Sequence, residues 1–143
     1  MRVGLDAHMV GRRETGNETY ILNLVKALTK IDSQNDYFIY TTDAEHLLGR
    51  LKLPANFRPT IIKPTVPVLR IPFAMPYTAW RQSLDILHVT YNAPPLCPCA
   101  TVVSVHDISF RLFPRWFSPR DYIILSTLVP LSIRHAARVL TLS

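Results

Sequence analysis

Three predicted strands of this chain end in side chains that can hydrogen-bond or move protons. Asp6-Ala7-His8 closes the first, Thr90-Tyr91-Asn92 the fourth and His106-Asp107 the fifth. In a parallel α/β sheet all strands finish at one edge, so these groups converge on a single crevice. Imidazole and carboxylate placed there can exchange protons or orient hydroxyls near neutral pH. The loop after the first strand adds a different chemistry. Gly11 and Gly16 bracket it, and Gly16-Asn-Glu-Thr-Tyr20 opens a helix. The N–H groups and macrodipole of a helix N-terminus favour anions, phosphate in particular. Gly16 and Asn17 are therefore candidate phosphate-binding residues. The competing reading is a turn in which Gly16 supplies a positive φ and Asn17 a cap.

The loop matches neither of two familiar phosphate loops. The dinucleotide pattern G-x-G-x-x-G is absent. Gly11 and Gly16 have the P-loop separation, but Asn17-Glu18 stand where Lys and Ser/Thr are needed. Cys97 and Cys99, either side of Pro98, are too few for a structural zinc site. They read as ordinary thiols of a reducing compartment, and no metal is expected. The net charge is +6, yet its basic residues are scattered in runs no longer than Arg12-Arg13. That distribution argues against a nucleic-acid partner. Tyr122 to Ile133, the longest apolar region, is interrupted by Ser126, Thr127 and Ser132. It is shorter than the roughly 20 residues of a membrane span. With no signal peptide visible, the expectation is a cytoplasmic protein, at most peripheral at the inner face of the membrane.

The elements that must hold these residues alternate. Strands are expected at Arg2–Asp6, Tyr37–Thr41, Pro59–Lys63, Asp85–Thr90, Thr101–Val105 and Arg138–Leu142. A helix from about Asn17 to Lys30 carries Ile21, Leu24, Val25 and Leu28 on one stripe. Asp43 caps a short helix to about Leu51. The prolines at 64, 67, 72 and 76 predict a loop leading to a short helix near Tyr77–Ser83. Ser118-Pro119-Arg120-Asp121 starts a helix towards Ala137, with a kink expected at Pro130. Such alternation predicts one α/β domain over residues 1–143, doubly wound, with a mostly parallel sheet and helices on both faces.

The segments RVGLDAHMVGRRETGNETYILNLVKAL, DILHVTYNAPPL and VVSVHDISFRLFPRWFSPRD…RHAARVLTLS together resemble the amino-terminal domain of family 4 glycosyltransferases. The resemblance covers nearly the whole chain. It implies a Rossmann-like domain forming one half of a GT-B fold. Family members move a sugar from a nucleotide-sugar to an acceptor hydroxyl with retention, without a metal or other cofactor. Their amino-terminal domain mainly holds the acceptor. The resemblance gives Gly16 and Asn17 the donor diphosphate, and His106 a hydrogen bond to the transferred sugar. Asp107 would orient His106, bind an acceptor hydroxyl or cap the next turn. Tyr91 and Asn92 are candidates to line the acceptor pocket, whether for glycan, lipid or small metabolite; Arg12 and Arg13 would meet an anionic acceptor or donor phosphate, or are solvated loop charges.

The family's donor-holding basic pair and E-x(7)-E motif are missing from these residues. The expectation is therefore an acceptor-side half that needs a carboxy-terminal donor domain and does not turn over alone. Two other readings stand beside it. One is half of another GT-B enzyme, such as a sugar-nucleotide epimerase; the other is a non-catalytic binding module. Asp6 is read as a structural tether for the glycine loop and His88 as a core histidine. His46 and His135 are read as surface residues. Trp80, Phe110, Phe113, Trp116 and Phe117 are candidates for a peripheral membrane surface, with core packing as the alternative.

Overall fold

The computed structural model describes residues 1–12 and 15–141. β1 (Arg2–Asp6) leads through a turn into α1 (Thr15–Ile31). β2 (Asp36–Thr41), α2 (Ala44–Arg50) and β3 (Phe57–Ile61) follow. Next come α3 (Pro67–Leu69), a π-helical turn (Arg70–Ala74) and α4 (Met75–Arg81). β4 (Ile86–Thr90) and β5 (Ala100–Val105) are joined without a helix. A short α5 (Ser109–Leu112), a 3-10 turn (Pro114–Trp116), α6 (Pro119–His135) and β6 (Arg138–Thr141) complete the order.

The six strands are all parallel, in the order β3-β2-β1-β4-β5-β6. This is the doubly wound, Rossmann-like arrangement, with its switch of direction between β1 and β4. β1 pairs Leu5 with Ile39 on one side and with His88 on the other. Both faces of the sheet are covered, which explains why β2 is a continuous apolar run rather than an alternating one. Tyr37 and Ile39 pack with Leu5, Ile21, Val25 and Leu47 under α1 and α2. Phe38 and Tyr40 pack with Met75, Ala79, Leu87 and Val103 under α4.

The helix starts follow local chemistry. Asp43 accepts the His46 N–H and caps α2. Ser118 accepts the Asp121 N–H, and Pro119 takes the first position of α6, as its sequence predicts. Pro130 lies inside α6 without ending it.

Several expectations are corrected. β3 begins two residues earlier than expected, because Pro59 is accommodated within an edge strand, where an N–H can be dispensed with. The passage expected as a loop is helical from Pro67. Pro67 and Pro76 sit in first turns, where no backbone donor is needed. Pro72 falls in the widened π turn. The short helix α5 had no periodic signal in four residues. Leu142, the last residue of the expected sixth strand, lies outside the described residues, as does Ser143.

Gly4 is where the sheet meets the chain most closely. A Cβ there would stand 2.5 Å from Leu84 Cδ1 and 2.9 Å from Leu87 Cδ1, both core side chains. Gly4→Ala is expected to destabilise the domain by about 1–3 kcal/mol through overpacking. Urea denaturation of the two proteins checks this; an unchanged midpoint refutes it.

Candidate functional site

The switch between β1 and β4 brings the polar strand ends together. His106 follows β5, and its ring Nδ1 donates to Asn17 Oδ1 at 2.9 Å. The first turn of α1 and the end of β5 are thus tied across the crevice. An amide oxygen can only accept, so Nδ1 carries the proton and Nε2 keeps its lone pair. Burial lowers the His106 pKa against the opposing pull of Asp107, which keeps the ring neutral.

A second layer props His106 from below. The Tyr20 ring meets the His106 ring edge-on at 4.3 Å. Tyr20 Oη is 2.8 Å from Ser104 Oγ, and the same hydroxyl is 2.7 Å from His88 Nε2. His88 is thus the satisfied core histidine its position in a strand predicts. Burial pushes its pKa down to about 4, with Asp6 opposing and His106 adding to the fall. A cavity of about 30 Å³ lies between Tyr20, Ser104, His106 and the end of β6.

Tyr91 turns the chain out of β4 with φ +62°. A non-glycine residue held in the left-handed region costs of order 1–3 kcal/mol and tends to mark a functional crevice. Its ring approaches His106 edge-on at 5.6 Å, and its hydroxyl donates to Asp107 Oδ2 at 3.2 Å. Burial and the Asp107 charge push the Tyr91 pKa up to about 12. Asp107 also accepts the Ser109 N–H at 2.8 Å and its hydroxyl at 2.5 Å. Those two bonds hold its carboxyl below the ordinary value. Asp107 thus closes a side-chain turn over Ile108, the N-cap residue of α5. His106 hydrogen-bonds to Asn17.

The crevice edge also holds unmet hydrogen-bonding capacity. Thr90 Oγ1, Asn92 Oδ1 and His106 Nε2 are buried without a hydrogen-bond partner among the described residues. Buried polar atoms are nearly always satisfied, so orphans gathered at strand ends call for a ligand or ordered water.

The glycine loop is arranged differently from expectation. Gly11 has the positive φ, +88°, and a Cβ there would come within 3.2 Å of the His46 ring. Gly16 lies inside α1, with nothing within 4 Å of where a Cβ would be. The turn reading of Gly16 is thus corrected, and open space fronts the first turn of the helix. Arg12 is exposed in the turn after β1; Arg13 lies outside the described residues.

Asp6 is buried against His8, which donates to it from Nδ1 at 2.9 Å and from its backbone N–H at 3.2 Å. Burial alone would raise its pKa, but His8 and the Arg70 guanidinium reverse the shift and lower it. Arg70 is 2% exposed and was missed in the sequence. Its one signal is an arginine standing alone in an apolar run, Val66 to Phe73. Ser104 was missed as well, since a serine inside a strand has no distinguishing spacing.

Of the aromatic residues proposed for a membrane surface, Phe110 is 3% exposed and belongs to the core, a correction. Phe117 packs partly against the same core. Trp80, Phe113 and Trp116 are exposed, and Phe113 and Trp116 stack at 4.4 Å. Cys97 Sγ and Cys99 Sγ lie 3.4 Å apart as free thiols. Among the described residues no cluster of three His, Cys, Asp or Glu could hold a metal, and no helix is long and apolar enough to cross a membrane.

Fold and site together define an α/β domain with a polar crevice at its topological switch. No family model and no curated protein sequence matches the chain.

The His88 shift has a measurable consequence. Between its unfolded value of 6.5 and its folded value of about 4, the unfolded chain holds a proton that the folded chain does not. Acidification through that window therefore destabilises the fold, by at most about 1.4 kcal/mol per pH unit from this group. Asp6, with its lowered pKa, loses its contribution only further into acid. Urea midpoints at about pH 7 and about pH 5 should converge in His88→Gln relative to wild type. Equal pH sensitivity in both proteins refutes the assignment.

Proposed function

We propose that this domain is the acceptor side of a retaining glycosyltransferase, moving a sugar from a nucleotide-sugar to an acceptor hydroxyl. The observation that carries the reading is His106: a neutral imidazole tied by Nδ1 to Asn17, with Nε2 buried and unpartnered at the crevice. An imidazole in that state accepts a hydrogen bond from a sugar hydroxyl. The open first turn of α1 beside it supplies backbone N–H groups and a positive dipole end for the donor diphosphate. Tyr91 and Asn92 line the acceptor side, and Arg12, exposed in the turn after β1, is a further candidate contact together with Arg13.

The chemistry follows from what is present. The crevice offers hydrogen-bond donors and acceptors but no facing carboxylate pair among the described residues. In a retaining transfer without an enzymic nucleophile, the leaving diphosphate accepts the acceptor's proton as the glycosidic bond to the donor breaks. The protein then contributes position and charge stabilisation. The nucleotide itself would be held mainly by a partner domain, which this chain needs for turnover. The exposed Trp80, Phe113 and Trp116 support work at a membrane surface on the cytoplasmic side.

The test is transfer by the native protein, isolated at whatever length it occurs, from radiolabelled nucleotide-sugars to an extract of its own cells. Labelled product with retained anomeric configuration is expected. His106→Ala should lower kcat about 10²-fold or more. Asp107→Asn, which keeps a cap to Ser109, should cost less than about tenfold. No transfer from any nucleotide-sugar refutes the reading, and so does an unaffected His106→Ala.

A further inference from the structure

β4 returns to β5 through residues 91–99 without a helix. The last three of these are Cys97-Pro98-Cys99. Pro94, Pro95 and Pro98 stiffen the segment, each fixing its own φ. Its far end is anchored, since the Ala100 N–H donates to the Asp85 carbonyl at 3.2 Å as β5 begins. Both cysteine side chains pack against the core under α4. The fold therefore holds the two thiols in place.

Their sulfurs stand 3.4 Å apart. A disulfide needs about 2 Å, so closure takes a side-chain movement of about 1–1.5 Å. Each thiol is half-buried, and Leu96 and Pro98 beside them are exposed. A small reagent can approach from solvent. The two sulfurs are also unlike each other. Hydrogen bonding from the Cys99 thiol, with its backbone N–H adding, lowers the Cys97 pKa against the effect of burial. The same bond raises that of Cys99, and burial and the charge of Asp85 push it the same way. Tyr40, from β2, also lies within electrostatic reach of both sulfurs. The pair thus holds at most one negative charge, on Cys97.

We propose that Cys97 and Cys99 are a redox couple, reversibly closed to an intramolecular disulfide by exchange with a small-molecule disulfide of the glutathione class. The Cys97 thiolate attacks one sulfur of the small disulfide. That S–S bond breaks as the mixed disulfide forms, and the departing thiolate takes up the proton that Cys97 had released. Cys99 then loses its proton, attacks Cys97 Sγ and expels the second small thiol, which takes that proton. The protein dithiol gives up two electrons and two protons, and the small disulfide is reduced to two thiols. Excess small thiol runs the sequence backwards. A bridge over so short a loop removes little unfolded-chain entropy, so it is not a structural staple. It follows the ratio of disulfide to thiol around it. Nothing in this chemistry depends on sugar transfer.

The experiment uses the full folded chain in degassed mixtures of reduced and oxidised glutathione. After acid quenching and alkylation, mass spectrometry should show a chain about 2 Da lighter, with Cys97 and Cys99 joined and neither alkylated. Dithiothreitol should restore two alkylated sites. The same titration in urea should need about tenfold or more oxidised glutathione, because the unfolded chain no longer holds the sulfurs together. Cys99→Ser keeps a hydroxyl donor beside Cys97 and should stop at one bound glutathione. Cys97→Ser should take up glutathione about threefold or more slowly by comparison, since Cys99 is the poorer thiolate. Should either serine variant fail to fold, limiting iodoacetamide on the wild-type chain reads the same order, with Cys97 modified first.

Thiols that stay alkylatable in oxidised glutathione overturn the proposal, and so does a wild-type chain that halts with glutathione bound. Disulfides formed between chains, or a midpoint unchanged by unfolding, overturn it too. Equal rates in the two serine variants overturn the choice of Cys97 as the attacking thiol.

Discussion

β1 is hydrogen-bonded along both edges, to β2 through Arg2–Asp6 and to β4 through Val3–Leu5. Because both partners are parallel to it, the connections leave β1 in opposite directions across the sheet. α1 and α2 cover one face, and α4 and α6 the other. At the carboxyl end of β1 no connection crosses from β1 to β4, and a crevice opens there. The packing beneath that pairing is tight. Gly4 leaves room for Leu84 and Leu87, and Asp6 is buried with His8 and the charge of Arg70. A residue with a side chain at Gly4 would push against the strand that sets the crevice.

The site is a hierarchy of supports ending in one unpartnered atom. Ser104, inside β5, shares its hydroxyl between Tyr20 from α1 and His88 from β4. Tyr20 then lies against the His106 ring, and Asn17, one helical turn earlier, takes its Nδ1 proton. Two contacts from one helix therefore set both the position and the tautomer of the imidazole. Burial keeps that ring neutral and His88 beneath it likewise. A neutral, oriented acceptor nitrogen is a preorganised group: it need not reorganise when a hydroxyl arrives. The left-handed Tyr91 closes the other side, with its backbone strain offset by the bond to Asp107 and the packing of its ring.

No helix joins β4 to β5, and an apolar cavity lies beside that connection. Proline-rich sequence covers the face there with an extended strand of chain, and a thinner cover leaves volume behind. Asn92 lines that cavity and carries a buried oxygen without a hydrogen-bond partner among the described residues. A fold that closed the gap with a helix would have a crevice and no groove.

The sequence by itself determined the elements and their class. Ser118-Pro119 and Asp43 announce helix starts because capping is a local interaction. The apolar runs of β2 and β5 announce strands buried on both faces, and the strand-end positions of Asp6, Tyr91, Asn92 and His106 follow from reading the runs. The helical passage from Pro67 was hidden, because proline is tolerated in first turns and in a widened turn that only packing selects. What tertiary structure alone decided are relations across long separations. Asn17 is 89 residues from His106 and Ser104 is 84 from Tyr20; no spacing rule links them. Arg70 against Asp6, the glycine requirement at Gly11 rather than Gly16, and the groove are likewise products of packing. Local chemistry acts over a few residues and leaves a pattern in the chain; the site is made where distant segments exclude water from each other, and that has no linear signature.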